Sequence, residues 1–126
     1  MRGHRDHILT TALRETYDYL IDMGQADSSF DVSENRPARK NRKKAVRYHY
    51  AGRSANPFAF IVNSGDRKDY HLFYIRRPRS NNIEVVKEFF DGEKILINPS
   101  GEITIQVHNL SDAKKVWKIV KRVQLQ

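Results

Sequence analysis

Hydrophobic and polar positions repeat with two different periods along this chain, and the change of period separates helices from strands. Residues 7–23 carry apolar side chains at helical spacing, with Asp6 as the expected N-cap and Gly24 as the expected end. Over residues 46–50 the period becomes two, which is typical of a half-buried strand. Residues 25–45 have neither period, and we expect a long, polar, basic and mobile loop there.

The same two signals predict the rest of the chain. Further strands are predicted at 58–63, 70–76, 94–98 and 102–108. A short helix is expected to begin at Asn81 or Asn82 and to reach Asp91, and Ser111 is expected to cap a last helix. The order α-β-β-β-α-β-β-α predicts a single α+β domain over residues 1–126. Its sheet should be mainly antiparallel, with the helices packed on one face.

Composition narrows the class of protein. The chain has 126 residues, of which 39% are hydrophobic and 30% charged, so we expect one well-hydrated globular domain. The absence of cysteine excludes disulfides, thiol catalysis and cysteine-ligated zinc. No segment has the roughly 18 apolar residues of a membrane span, and no secretory signal is evident. We therefore expect an intracellular protein, cytoplasmic or nucleoid-associated, without a membrane partner.

The positive charge is concentrated in the middle of the chain. Of the net +8, residues 36–80 contribute thirteen cations against two acids, whereas residues 1–35 hold three cations against seven acids. Within residues 36–47, seven of twelve side chains are cationic and none is acidic. Segregated charge of this kind attracts a polyanion, and nucleic acid is the expected partner. A solvated connector is the alternative interpretation of this run, which we call the basic run.

Candidate nucleic-acid contacts come from three places: the basic run, the later arginines, and one face of the sheet. If Val46 and Tyr48 face the helices, Arg47 and His49 face outward, together with Tyr70 and Tyr74. Aromatic rings beside cations suit the stacking of unpaired bases. The full predicted set is Arg36, Arg39, Lys40, Arg42, Lys43, Lys44, Arg47, Arg53, Tyr70, Tyr74, Arg76, Arg77 and Arg79.

Two other classes of function remain open. A small endonuclease or toxin-like ribonuclease would use His49 and His108 as general acid and base, since histidine titrates near neutrality. By the parity of its strand, His71 is instead expected to be a hydrogen-bonded core residue. A protein-interaction module would use the basic run against an acidic protein partner. No phosphate-binding glycine loop, nucleophile elbow or zinc-binding helix motif is present, so no cofactor or metal is expected.

Overall fold

The computed structural model describes residues 2–36, 43–64 and 68–124. The helices are α1 (Thr11–Ala26), α2 (Asn82–Lys87) and α3 (Leu110–Gln124), and short 3-10 helices cover Gly3–His7 and Gly92–Lys94. The strands are β1 (Phe30–Glu34), β2 (Ala45–Tyr50), β3 (Phe58–Ser64), β4 (Tyr70–Ile75), β5 (Ile95–Ile97) and β6 (Ile103–Val107). The strands form one antiparallel sheet in the order β1-β2-β3-β4-β6-β5. The predicted α+β class is confirmed.

One strand was not predicted. Residues 30–34 fall inside the predicted loop at 25–45, yet they form β1, which pairs with β2 along its whole length. Phe30 and Val32 point toward the helices and Asp31 and Ser33 point away, so the alternation of a strand is present. Two apolar residues among polar ones are a weak signal, and pairing with β2 decides the conformation. Of the basic run, Arg36 therefore follows β1, Lys43 and Lys44 precede β2, and Ala45 to Arg47 belong to β2.

The ends of the long helices also differ from the prediction. Helix α1 begins at Thr11, and the side chain of Thr10, not of Asp6, accepts a hydrogen bond from the Leu13 amide at 3.2 Å. Gly24 lies inside the helix and does not end it. At α3, Asn109 replaces the predicted Ser111 as the capping side chain, because its Oδ1 accepts from the Asp112 amide at 2.9 Å.

The helices cover one face of the sheet and bury a single hydrophobic core. Inward-facing residues of the central strands, among them Tyr48, Phe60 and Phe73, are fully buried there. Tyr48 contacts Trp117 of α3 with ring centroids 6.1 Å apart. None of the helices within the described residues has the length and apolar character that crossing a membrane requires.

His71 is a buried, hydrogen-bonded residue of this core, as predicted. Its Nδ1 accepts a hydrogen bond from the Asn63 amide at 3.1 Å, so its Nε2 carries the proton and donates to the Leu13 carbonyl at 2.8 Å. A β-bulge at the end of β3 makes this possible, since Asn63 adopts a positive φ of 52°. The bond links α1 to the middle of the sheet.

Burial lowers the pKa of His71 to about 4, and its bond to the Leu13 carbonyl offsets only part of that effect. Between pH 6.5 and 4 the unfolded chain binds a proton at this residue and the folded chain does not, so stability falls as the pH is lowered. We expect the free energy of unfolding to decrease by up to about 3 kcal/mol over this range from His71 alone. Urea titrations at a series of pH values measure it.

The matched comparison is His71→Leu. This variant should be less stable at pH 7, but its stability should depend less on pH between 6.5 and 4. Equal pH slopes for the two proteins would contradict the assignment.

Gly24 is required because α1 lies very close to the sheet at this residue. A Cβ atom there would lie 2.5 Å from Cε1 of Tyr48 and 2.7 Å from Cγ2 of Val32. Although alanine is about 1 kcal/mol better than glycine in a helix, overpacking outweighs this gain, and we expect Gly24→Ala to lose about 1–3 kcal/mol. Gly92→Ala is the control, since no atom lies within 4 Å of its added Cβ. Equal urea midpoints for the two variants would contradict the close contact.

Candidate nucleic-acid interface

The face of the sheet opposite the helices carries the predicted outward residues. The register places Arg47 opposite Ala59, Ala59 opposite Tyr74, and Tyr74 opposite Thr104. These four residues form a row across β2, β3, β4 and β6, and we call the surface that contains them the open face. The predicted parity of β2, β4 and β6 is confirmed, because the alternate residues of each strand are buried in the core.

Tyr74 is the aromatic residue at the centre of this row. Its neighbours on both sides, Ala59 and Thr104, are small residues. Both are almost completely covered. The ring is partly buried, and burial raises the pKa of the Tyr74 phenol, with a further increase from the nearby Glu102 carboxylate. A neutral phenol between small residues provides a flat apolar ring surface, with the polar hydroxyl group at its edge.

Arg47 is the cation of the same row. It lies between Ser33 of β1 and Ala59 of β3, neither of which carries a charge. Within the residues that the structure describes, no carboxylate pairs with it. Its guanidinium group is therefore available to an anion. The Cα atoms of Arg47 and Tyr74 are roughly 10 Å apart, because two inter-strand spacings separate them.

Arg76 lies on the same side of the sheet, but its charge is already matched. Its Nε lies 2.8 Å from Oε2 of Glu102, and its Nη1 donates to Oδ1 of Asn56 at 3.1 Å. Burial works against ionisation of Glu102, but hydrogen bonds from Asn98 and Arg76 outweigh it and lower the pKa of this carboxyl. Arg76 was predicted as an ordered phosphate contact. Glu102 competes with a phosphate for its guanidinium group.

Tyr70 packs against His108 at one end of the open face. Their ring centroids are 5.3 Å apart with planes inclined at 49°. The His108 amide donates to Asp112 at 3.0 Å, and the imidazole Nδ1 lies 3.7 Å from the same carboxylate. Since His108 covers part of the Tyr70 ring, Tyr74 is the better placed of the two predicted stacking residues.

The two histidines of the nuclease hypothesis share the open face but do not meet. His49 lies in the row of Arg76 and Glu102, and its Nδ1 lies 3.1 Å from the Ser54 carbonyl. His108 lies six residues further along β6 than Glu102, which is roughly 20 Å along the strand direction, and β3 and β4 lie between the two. A shared acid–base step requires both groups within hydrogen-bond reach of one substrate, so the fold does not bring this pair together.

Hydrogen bonds of Asn35 fix the base of the β1–β2 hairpin, beside Arg36 and Lys43 of the basic run. Asn35 Nδ2 donates to the Lys43 carbonyl at 2.8 Å, and Asn35 Oδ1 accepts from the Ala45 amide at 2.9 Å. His4 Nε2 lies 2.8 Å from the same Oδ1, so the Gly3–His7 segment supports the base. The exposed Arg36 and Lys43 and the half-buried Lys44 flank the hairpin connection. The predicted contacts Arg39, Lys40 and Arg42 lie outside the described residues.

The remaining predicted arginines lie at the opposite end of the strands. Arg53 is exposed in the turn between β2 and β3, and Arg77 and Arg79 follow the end of β4. Arg77 and Arg79 line a cavity there and do not lie on the open face. Cations are thus found at both ends of the open face.

Sequence reasoning placed the apolar Leu72 on this surface by the parity of its strand, but it did not assign Ile61 or Leu96 to it. Ile61 and Leu72 lie side by side in the next row of the open face and are partly exposed. Leu96 of β5 lies beside Thr104 and is 65% exposed. The alternation along β4 is sufficient to assign Leu72 to the open face, whereas the assignment of Ile61 needs the strand register. A surface with apolar and aromatic groups between two basic ends can accept the rings of unpaired bases.

Within the described ranges, no group of three His, Asp or Glu side chains is placed to hold a metal ion. No family model, curated protein or solved structure matches this chain.

Proposed function

We propose that this protein binds single-stranded nucleic acid across its open face, with the basic run capturing the phosphate backbone. The observation that carries the proposal is the row in which Arg47 and Tyr74 stand on either side of the small Ala59. In this proposal a base stacks on the Tyr74 ring, and the guanidinium of Arg47 contacts the adjoining phosphate.

The distribution of charge supports the same assignment. Arg36, Lys43 and Lys44 lie at one end of the strands, and Arg53 lies at the other. Of Asp31 and Glu102 on the open face, only Glu102 is neutralised by an ion pair in the described structure. Asp31 accepts a hydrogen bond from the Gly52 amide, and Glu102 pairs with Arg76. Charge at the two ends supplies salt-dependent affinity, and the face between them supplies stacking.

Two variants separate the contributions of charge and of stacking to the affinity for nucleic acid. Replacing Lys43 and Lys44 with alanine removes two cations, so we expect the slope of log affinity against log salt to decrease by about 1.4 for single strands. Tyr74→Leu should leave that slope unchanged and weaken single-strand binding about 5- to 160-fold, since stacking contributes about 1–3 kcal/mol per base. Fluorescence anisotropy with labelled single- and double-stranded DNA and RNA, across a salt series, measures both effects.

The control for charge replaces Lys114 and Lys118, two exposed lysines of α3 on the helix side of the sheet. Its salt slope should match that of the wild-type protein. The proposal fails if the two double variants have the same salt slope. It also fails if the wild-type protein binds none of the four nucleic acids at low salt.

Glu102→Gln is expected to strengthen binding. The substitution removes a negative charge beside the open face and releases Arg76 from its ion pair. We expect the affinity for a single strand to rise about two- to fivefold at low salt, and the salt slope to increase by about 0.7 because one more cation contacts phosphate. The same anisotropy titrations measure both quantities.

Glu15→Gln on the exposed side of α1 is the matched control, since it removes the same charge far from the open face. Equal gains in the two variants would mean that only net charge matters. An unchanged affinity in Glu102→Gln would place the nucleic acid elsewhere.

A further inference from the structure

A cavity of about 280 Å³ lies at the end of the sheet where β2, β3 and β4 meet the last turn of α3. Its apolar wall includes Phe58, Ile75 and Val123, and Tyr50 and two arginines complete the lining. The volume is near the lower end of the roughly 300–1,000 Å³ typical of small-molecule sites. None of these residues belongs to the row of the open face.

The two arginines of the cavity are Arg77 and Arg79. Several other cations have acidic partners, such as Lys121 with Asp27 at 2.8 Å. In the described part of the chain, no carboxylate pairs with either Arg77 or Arg79. Two unmatched guanidinium groups on one cavity favour a dianion, and a phosphate monoester carries about −1.5 to −2 charges near pH 7.

The loop that carries these arginines is fixed before any ligand binds. Asn82 is 1% exposed. Its side-chain Oδ1 accepts a hydrogen bond from the Arg79 backbone amide at 2.8 Å, and its backbone amide donates to the Arg79 carbonyl at 3.0 Å. On the other side, the Arg76 amide donates to the Pro57 carbonyl at 2.9 Å and extends the pairing of β3 with β4. A site held in this way loses little conformational entropy on binding.

The walls of the cavity indicate the rest of the ligand. Tyr50 is 36% exposed, and its ring stacks on Phe30 with centroids 6.0 Å apart and planes inclined at only 17°. Tyr50 provides exposed aromatic surface for a planar ring, and Phe58, which is 2% exposed, forms part of the wall. The side-chain oxygen of Gln124, which also lines the cavity, is buried without a hydrogen-bond partner in the described structure. An N–H group of a ligand would satisfy it.

We propose that this cavity binds a nucleoside monophosphate, either as a free nucleotide or as the phosphorylated end of a nucleic-acid strand. The base lies against Tyr50 and Phe58, and the phosphate contacts Arg77 and Arg79. A phosphate monoester is favoured over a carboxylate because two arginines face it. The proposal does not depend on the open face, since the two surfaces share none of these residues.

Isothermal titration calorimetry with adenosine and guanosine monophosphates tests the site directly. We expect binding to the wild-type protein, and at least tenfold weaker binding to Arg77→Gln and to Arg79→Gln. Lys87→Gln is the charge-matched control and should bind as the wild-type protein does, because this exposed residue of α2 does not line the cavity. Nucleosides without phosphate and inorganic phosphate alone should both bind more weakly than the nucleotides.

A second variant tests the cavity rather than the charge. Val123→Phe fills the space and keeps both arginines, so we expect it to lose nucleotide binding while its circular dichroism and urea midpoint show a folded protein. Equal binding of nucleotide by the wild-type, Arg79→Gln and Val123→Phe proteins would overturn the proposal. So would the absence of nucleotide binding at millimolar concentration.

The two sources of the ligand are distinguished with oligonucleotides that end in a phosphate or a hydroxyl group. A gain in affinity from a 5′- or 3′-phosphate that Arg79→Gln abolishes assigns the cavity to strand ends. Nucleotide binding without any such gain assigns it to the free nucleotide. Loss of strand binding in Tyr74→Leu with unchanged nucleotide binding would show that the two sites act separately.

Discussion

The buried phenol of Tyr48 connects every layer of this domain. Its hydroxyl group donates to the Leu20 carbonyl of α1 at 2.8 Å, and its ring lies against Gly24, where no larger residue fits. The same ring contacts Phe73 of β4 and Trp117 of α3, with centroids 6.2 and 6.1 Å away. Burial raises the pKa of this phenol, so it stays protonated and keeps its bond to α1. Because side chains alternate along a strand, the inward position of Tyr48 directs its two neighbours outward.

The outward direction of Arg47 and His49 is thus a consequence of core packing. What the open face can bind depends on which of its charges are already matched. Glu102 neutralises Arg76, whereas Arg47 forms no ion pair with a carboxylate among the described residues. The apolar and aromatic residues of this face, together with Arg47 and the cations at its two ends, suit a ligand with apolar rings on a charged backbone. Single-stranded nucleic acid has both features.

The alternation in β2, β4 and β6 was sufficient to predict the class of fold and the parity of the open face. It could not predict β1, because Phe30 and Val32 are the only apolar residues of an edge strand that β2 holds in place. Gly24 looked like the end of a helix because the sequence does not report how closely Tyr48 approaches. Helix-stop and close-packing glycines have the same local signature.

Pairing between distant strands decided what could not be predicted at the site. The ion pair of Arg76 with Glu102 exists because β6 inserts between β4 and β5, and no local pattern specifies that order. The separation of His49 from His108 has the same origin. The small Ala59 between Arg47 and Tyr74 also became visible only with the register. The sequence therefore indicated which residues could contact a ligand, but it could not predict which residues lie beside them in the sheet.

The central claim is that a nucleic-acid strand lies on the open face, and methyl groups report on it directly. Ile61 and Leu72 are partly exposed there, whereas Ile105 and Ile119 are fully buried in the core. A methyl-detected NMR titration with a short single-stranded oligonucleotide should shift the resonances of Ile61 and Leu72 and leave those of Ile105 and Ile119 nearly unchanged. Unchanged Ile61 and Leu72 resonances at saturating oligonucleotide would contradict the account.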